Sequence, residues 1–170
     1  MDTLIVYYSR TGSTRTVAAA LAHELEGTLR ELVDADPRTN MLAAVLAALF
    51  HRSARLVDPD YDVRPYETVV LITPVWAGNP TPAMNAFVRG VDLTGKKVLI
   101  VALGESGENL ATSSRLEKMV RDRGGQVIGV HHIHGLSATG RAGPSATAEE
   151  LQHAGERLAD LLREPHSEEG

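Results

Sequence analysis

The stretch Leu4-Ile5-Val6-Tyr7-Tyr8-Ser9-Arg10-Thr11-Gly12-Ser13-Thr14 decides how the rest of the chain reads. A run of β-prone apolar residues enters a turn of hydroxyl side chains and one glycine. A helix-like pattern follows at once, with Val17, Leu21 and Leu25 spaced four apart. Strand, turn and helix in this order aim the unpaired amides of a helix N-terminus beyond the strand's end. Ser9, Thr11, Ser13 and Thr14 add hydroxyls, Gly12 lets the backbone approach a ligand closely, and Arg10 and Arg15 stand beside them. A single helix cap needs fewer hydroxyls than this. The group that suits such a turn is a phosphate, held mainly by dipoles.

Similar apolar runs recur at Val69 to Ile72, Val98 to Leu103 and Val127 to Val130, with a weaker one over Thr28 to Val33. They are near-continuous rather than alternating, as in strands covered on both faces of a parallel sheet. Helical stripes lie between them. Leu42, Val45, Leu46, Leu49 and Phe50 form one, and Leu151, Ala154, Leu158 and Leu161 another. A third helix is expected from Leu110 to Arg123, stopped by Gly124-Gly125. The alternation predicts a doubly wound α/β fold, one domain over residues 1–163, with residues 164–170 as a frayed tail. Residues 135–147 read as a loop. In such folds ligands lie beyond the carboxyl ends of the strands.

Composition narrows the function classes. Of 170 residues, 43% are apolar and 23% charged, ordinary for a soluble domain. The net charge of −5 argues against nucleic acid and anionic membranes as partners. With no cysteine, disulfides, iron–sulfur clusters and thiol catalysis are excluded. Met1-Asp2-Thr3 lacks the basic segment of a signal peptide, and the longest apolar stretch, Met41 to Phe50, is far short of the ~20 residues a membrane span needs. A cytoplasmic protein is expected.

Two more segments follow predicted strands. Thr73-Pro74-Val75-Trp76-Ala77-Gly78-Asn79-Pro80 reads as a loop stiffened by proline and glycine, and it carries the single tryptophan. Taken alone, Trp76 is better explained by core packing. Gly104-Glu105-Ser106-Gly107-Glu108-Asn109 is a glycine-rich turn of little specificity by itself.

Together, the three segments resemble the flavodoxin-like family of FMN-binding proteins. Ser9 to Thr14 matches that family's phosphate loop, Ser/Thr-x-Thr-Gly-x-Thr, and Thr73 to Gly78 is similar to its second loop, where an aromatic residue flanks the flavin. The resemblance implies a five-stranded parallel sheet in the order 2-1-3-4-5, with helices on both faces. It implies that Ser9, Arg10, Thr11, Gly12, Ser13 and Thr14 wrap the FMN phosphate. Pro74, Val75, Trp76, Ala77 and Gly78 would then pass beside the isoalloxazine. Gly104, Glu105, Ser106 and Gly107 would follow its pyrimidine edge, and the peptide near Gly78-Asn79 would reorient as the ring is reduced. Negative charge at Glu105 and Glu108 would lower the potential of the second electron.

Other signals carry less. Gly90-Val91-Asp92-Leu93-Thr94-Gly95-Lys96-Lys97 nearly spells a nucleotide P-loop, but it lacks the final hydroxyl residue and leads into a strand. It reads as a helix-to-strand turn. His131, His132 and His134 lie at the end of the last strand, with His132 and His134 on one face, yet no third ligand is close in sequence, so no metal site is expected. The second face of the 42–50 stripe carries Met41, Ala43, Ala44 and Ala47 and leaves a homodimer open beside a monomer.

The expected function is electron transfer through non-covalently bound FMN, to a redox partner protein or a small-molecule acceptor. The alternative is an enzyme, an FMN-dependent reductase taking hydride from NAD(P)H and passing it to a quinone or other small acceptor. A flavin-free binding module is the third reading.

Overall fold

Each of the apolar runs forms a strand in the computed structural model of the protein, which describes residues 2–35, 55–76, 78–104, 110–134 and 146–163. In chain order the elements are β1 (Thr3–Tyr7), α1 (Ser13–Leu25), β2 (Thr28–Glu31), β3 (Thr68–Trp76), β4 (Asn79–Pro80), α2 (Pro82–Gly90), β5 (Lys97–Gly104), α3 (Leu110–Asp122), β6 (Gln126–His134) and α4 (Ala148–Arg163). The five long strands are parallel and lie in the order β2-β1-β3-β5-β6, the doubly wound order that the family resemblance implies. A sixth, two-residue strand, β4, pairs antiparallel with β3.

The continuous apolar runs are explained by the two cores they separate. Leu4, Val6, Val69, Leu71, Val98 and Ile100 point to one face, where Met84, Phe87, Leu116 and Val120 of α2 and α3 cover them. Ile5, Val70, Ile72, Leu99 and Val101 point to the other, beneath Val17, Leu21, Leu151 and Leu158 of α1 and α4. Alternate residues of one strand thus serve opposite layers. Each such side chain, fully buried, contributes about 1.5–3 kcal/mol of transfer free energy.

Two expectations need adjusting. The Thr73–Pro80 segment is not a loop: β3 continues through it to Trp76 and turns straight into β4. Thr73 and Pro74 pair with Ala102 and Leu103 of β5, and Val75 and Trp76 with Pro80 and Asn79 of β4, so the prolines lie at the ends of ladders and do not break them. In α4 the inward stripe is Leu151, Ala154, Gly155, Leu158, Ala159 and Leu162. Leu161, read as part of it, is 38% exposed, because close packing of Gly155 on α1 turns that position outward. The last strand runs to His134, so the histidines belong to it, and a bulge at Ile128 shifts its register on β5.

The P-loop look-alike is a turn, as read: Asp92 Oδ1 accepts hydrogen bonds from the Thr94 amide at 3.0 Å and hydroxyl at 2.7 Å. The 42–50 stripe, most of the 135–147 loop and the 164–170 tail lie outside the described residues. Among the described residues no helix is long and apolar enough to cross a membrane.

Candidate functional site

At the end of β1 the chain makes the turn into α1 through Gly12, which has φ 100° and ψ −24°. That left-handed conformation excludes most side chains on strain alone, since a β-carbon there would meet nothing within 4 Å. Ser9 organises the turn: its Oγ accepts from the amides of Gly12 at 3.2 Å and Arg15 at 3.3 Å. Gly12, at the N-cap of α1, has no side chain to offer its first amides, Ser9 reaches only that of Arg15, and the first turn holds no acidic residue. The Ser13 and Thr14 amides therefore point outward at the positive end of the helix. Thr14, the second residue of α1, is 3% exposed. Arg15, one of the two cations near the turn, is directed away; its Nη2 pairs with Glu31 Oε1 on β2 at 2.5 Å.

Trp76 ends β3, 9% exposed. The hairpin that follows pairs Trp76 with Asn79 and Val75 with Pro80, and Gly78 turns it with φ 73°. Each residue of β4 is held from behind. Arg115 Nη1 of α3 donates to Asn79 Oδ1 at 2.8 Å, and Asn85 Nδ2 of α2 donates to the Pro80 carbonyl at 3.4 Å. Thr81 then caps α2 by accepting from the Met84 amide at 3.3 Å, with Pro82 in the first turn.

The two segments meet at the indole. Tyr8 packs edge-on against Trp76 with centroids 5.6 Å apart, and the Arg10 guanidinium lies 5.8 Å from the ring centroid. Burial, aided by the charge of Asp34, raises the Tyr8 phenol above its usual range, partly offset by Arg10, so it stays a neutral wall. Gly104, at the end of β5, lies beside Val75: a β-carbon there would stand 3.6 Å from the valine side chain. Ala77, Glu105, Ser106 and Gly107, named as site residues above, lie outside the described residues, as does Glu108.

The fold thus brings Ser9 to Thr14, Pro74 to Trp76, Gly78 and Gly104 to the carboxyl end of one sheet. Tyr8, Asn79 and Arg115 were not singled out as site residues. For Tyr8 the signal existed, an aromatic at the mouth of a phosphate-type turn; for Arg115, on an ordinary helix face, there was none. The donor set suits a dianion: outward amides, hydroxyls and one nearby guanidinium, with no carboxylate in the turn.

The histidines divide between the faces of β6. His132 Nε2 lies 3.1 Å from Ser113 Oγ on α3. His131 is half-buried on the α4 side, and burial, then the neighbouring His132, lowers its pKa below 6.5. Among the described residues no three His, Asp or Glu side chains cluster as a metal site would require.

No curated protein matches the chain. Solved structures resemble it in fold. A candidate flavoprotein from Bacteroides eggerthii superposes with a TM-score of 0.71 at 18% identity, over 96% of this chain and 99% of its own. A flavoprotein from Lactobacillus acidophilus, solved in complex with FMN, gives 0.64 at 23% identity over 77% and 92%. Oxidised flavodoxin 1 from Bacillus cereus gives 0.58 at 15% identity over 97% and 99%. The sequence model of the flavodoxin family matches residues 5–157, the phosphate-type turn and Trp76 included. The chain belongs to the flavodoxin family.

Proposed function

We propose that this protein binds FMN non-covalently and serves in the cytoplasm as a flavodoxin-like redox protein. The observation that carries the reading is the meeting of a helix N-terminus that has glycine at its N-cap with a held aromatic wall: Gly12, Ser13 and Thr14 on one side, Trp76 and Tyr8 on the other. Family membership and the FMN complex of the Lactobacillus acidophilus neighbour support the same cofactor.

In this reading the Ser13 and Thr14 amides, with the Ser9, Thr11, Ser13 and Thr14 hydroxyls, hold the phosphate. Arg10 spans the phosphate turn and the indole. Trp76 and Tyr8 keep water from one side of the ring pocket, while Pro74 and Val75 form its floor, with Gly104 against Val75 at the pyrimidine end. Ala77, Glu105, Ser106 and Gly107 complete the set. Gly78, already left-handed, gives the hairpin a residue that can change peptide orientation at small steric cost. FMN, when bound, supplies one- and two-electron chemistry.

The electron acceptor is a partner protein or a small molecule. A reductase using NAD(P)H is the second reading, and the modest net charge of −5 favours it, since weak steering suits small substrates better than a docking carrier. The visible spectrum of the purified protein, before and after anaerobic NADPH, tests both. A yellow protein bleached by NADPH alone is a reductase, and one that bleaches only with an added reductase is a carrier. A colourless protein that takes up no FMN overturns the proposal.

A further inference from the structure

Behind the hairpin, between α2 and α3, lies a cleft of about 420 Å³. Its lining differs in sign from the rest of the chain. Among the described residues that line it, Arg89, Arg115, Lys118 and Arg123 face Asp122 as the one carboxylate, in a protein whose net charge is −5. Asp122 is engaged by Lys118 at 2.7 Å, and Arg123 Nε donates to the Val91 carbonyl, which holds its guanidinium at the cleft's end. Met119, partly buried over the fully buried Val88, supplies an apolar floor. A volume within the usual 300–1,000 Å³ range, an apolar floor and a basic rim fit a flat base carrying phosphate.

The cleft is also joined to the hairpin. Arg115 and Asn85 line it, and these are the two side chains that hold Asn79 and Pro80, the whole of β4. Asn85 is 1% exposed, and among the described residues its Oδ1 has no donor. A group that drew Arg115 or Asn85 toward the cleft would therefore release or retension the strand paired with Trp76. We infer that the α2–α3 cleft is a second binding site, for the phosphate-bearing adenosine end of a nucleotide, and that its occupancy is transmitted through Arg115 and Asn79 to the Trp76 hairpin. The consequence for redox chemistry rests on the FMN reading; the binding itself does not.

The test is calorimetric titration of the full-length protein with 2′,5′-ADP and with NADPH, FMN being present in excess to fill the phosphate turn. Saturable binding is expected, weakened by added salt and by roughly tenfold or more in the Lys118→Glu/Arg123→Glu double variant. If NADPH binds through the cleft as 2′,5′-ADP does, the source is a pyridine dinucleotide; if only 2′,5′-ADP binds, it is a free nucleotide. In the flavin-free chain the lone Trp76 reports the coupling: its fluorescence shifts on 2′,5′-ADP addition. In Asn79→Ala, which leaves the cleft lining intact and removes the oxygen that Arg115 donates to, the ligand still binds and the shift disappears. Absence of saturable binding, or binding unchanged by the double charge reversal, overturns the site. A silent Trp76 overturns the transmission. Failure to take up FMN with cleft binding intact sinks only the proposed function.

Discussion

Tyr8 and Trp76 meet edge to face, their planes inclined at 85° and centroids 5.6 Å apart, across the gap between the phosphate-type turn and the hairpin. The contact makes one wall from two segments far apart in sequence. It also gives Trp76 two duties, packing and ligand contact, which substitution can separate.

Trp76→Ala is expected to lose about 3 kcal/mol of stability in urea denaturation, the usual cost of emptying a nearly buried aromatic site. Trp76→Phe retains most of that packing and should fall by less than half as much. Both should weaken FMN. If Trp76→Phe binds FMN as tightly as the parent, the indole is a core plug and not part of the pocket.

Gly12→Ala puts a side chain at φ 100° and should cost roughly 1–2 kcal/mol from backbone strain, since the space itself is open. FMN affinity should drop about tenfold or more, while riboflavin, lacking the phosphate, should be little affected. Parallel fluorescence titrations with the two flavins decide it. An equal loss for both would show that the turn does not hold the phosphate.

Gly155→Ala runs against helix propensity. Alanine is the better helix former, yet a β-carbon at 155 would meet the Val17 carbonyl at 2.6 Å and the Ala20 β-carbon at 2.7 Å. The variant should therefore be destabilised, by about 1–3 kcal/mol, as overpacked sites are. A raised midpoint in urea would mean that α1 and α4 separate easily.

His131 carries the pH prediction. Its folded pKa lies below 6.5, chiefly through burial and secondarily through His132, so the unfolded chain binds the proton more readily. Stability is then present above about 6.5 and declines as pH falls from there toward the folded value. His131→Asn should flatten that part of a melting-temperature profile. A parent profile already flat below pH 6.5 would show that the ring gains no proton on unfolding.

Much of this molecule could be read from neighbouring residues. The apolar runs at Leu4, Val69 and Val98 announce buried parallel strands, because each must feed two layers at once. The Ser9–Thr14 turn announces its ligand chemistry through hydroxyl density and a glycine that proves to be left-handed. The misreadings have equally physical origins. Pro74 and Pro80 suggested a loop, yet prolines fit where a strand ends its ladder or lies at the sheet's margin. Leu161 satisfied the α4 periodicity as well as Leu162 did, and the Gly155 contact with α1 chose between them.

The five long strands, the helices α1, α3 and α4 and the phosphate-type turn thus follow from short-range chemistry: periodic burial and local backbone freedom, which a few consecutive residues are enough to specify. The indole's partners, the bond from Arg115 to Asn79 and the basic cleft follow from none of it. They arise where the parallel crossovers lay α3 beside β4, joining residues 36 positions apart whose side chains carry no local mark of the contact. Such pairings have no period to betray them, so they exist as information only once the chain has folded.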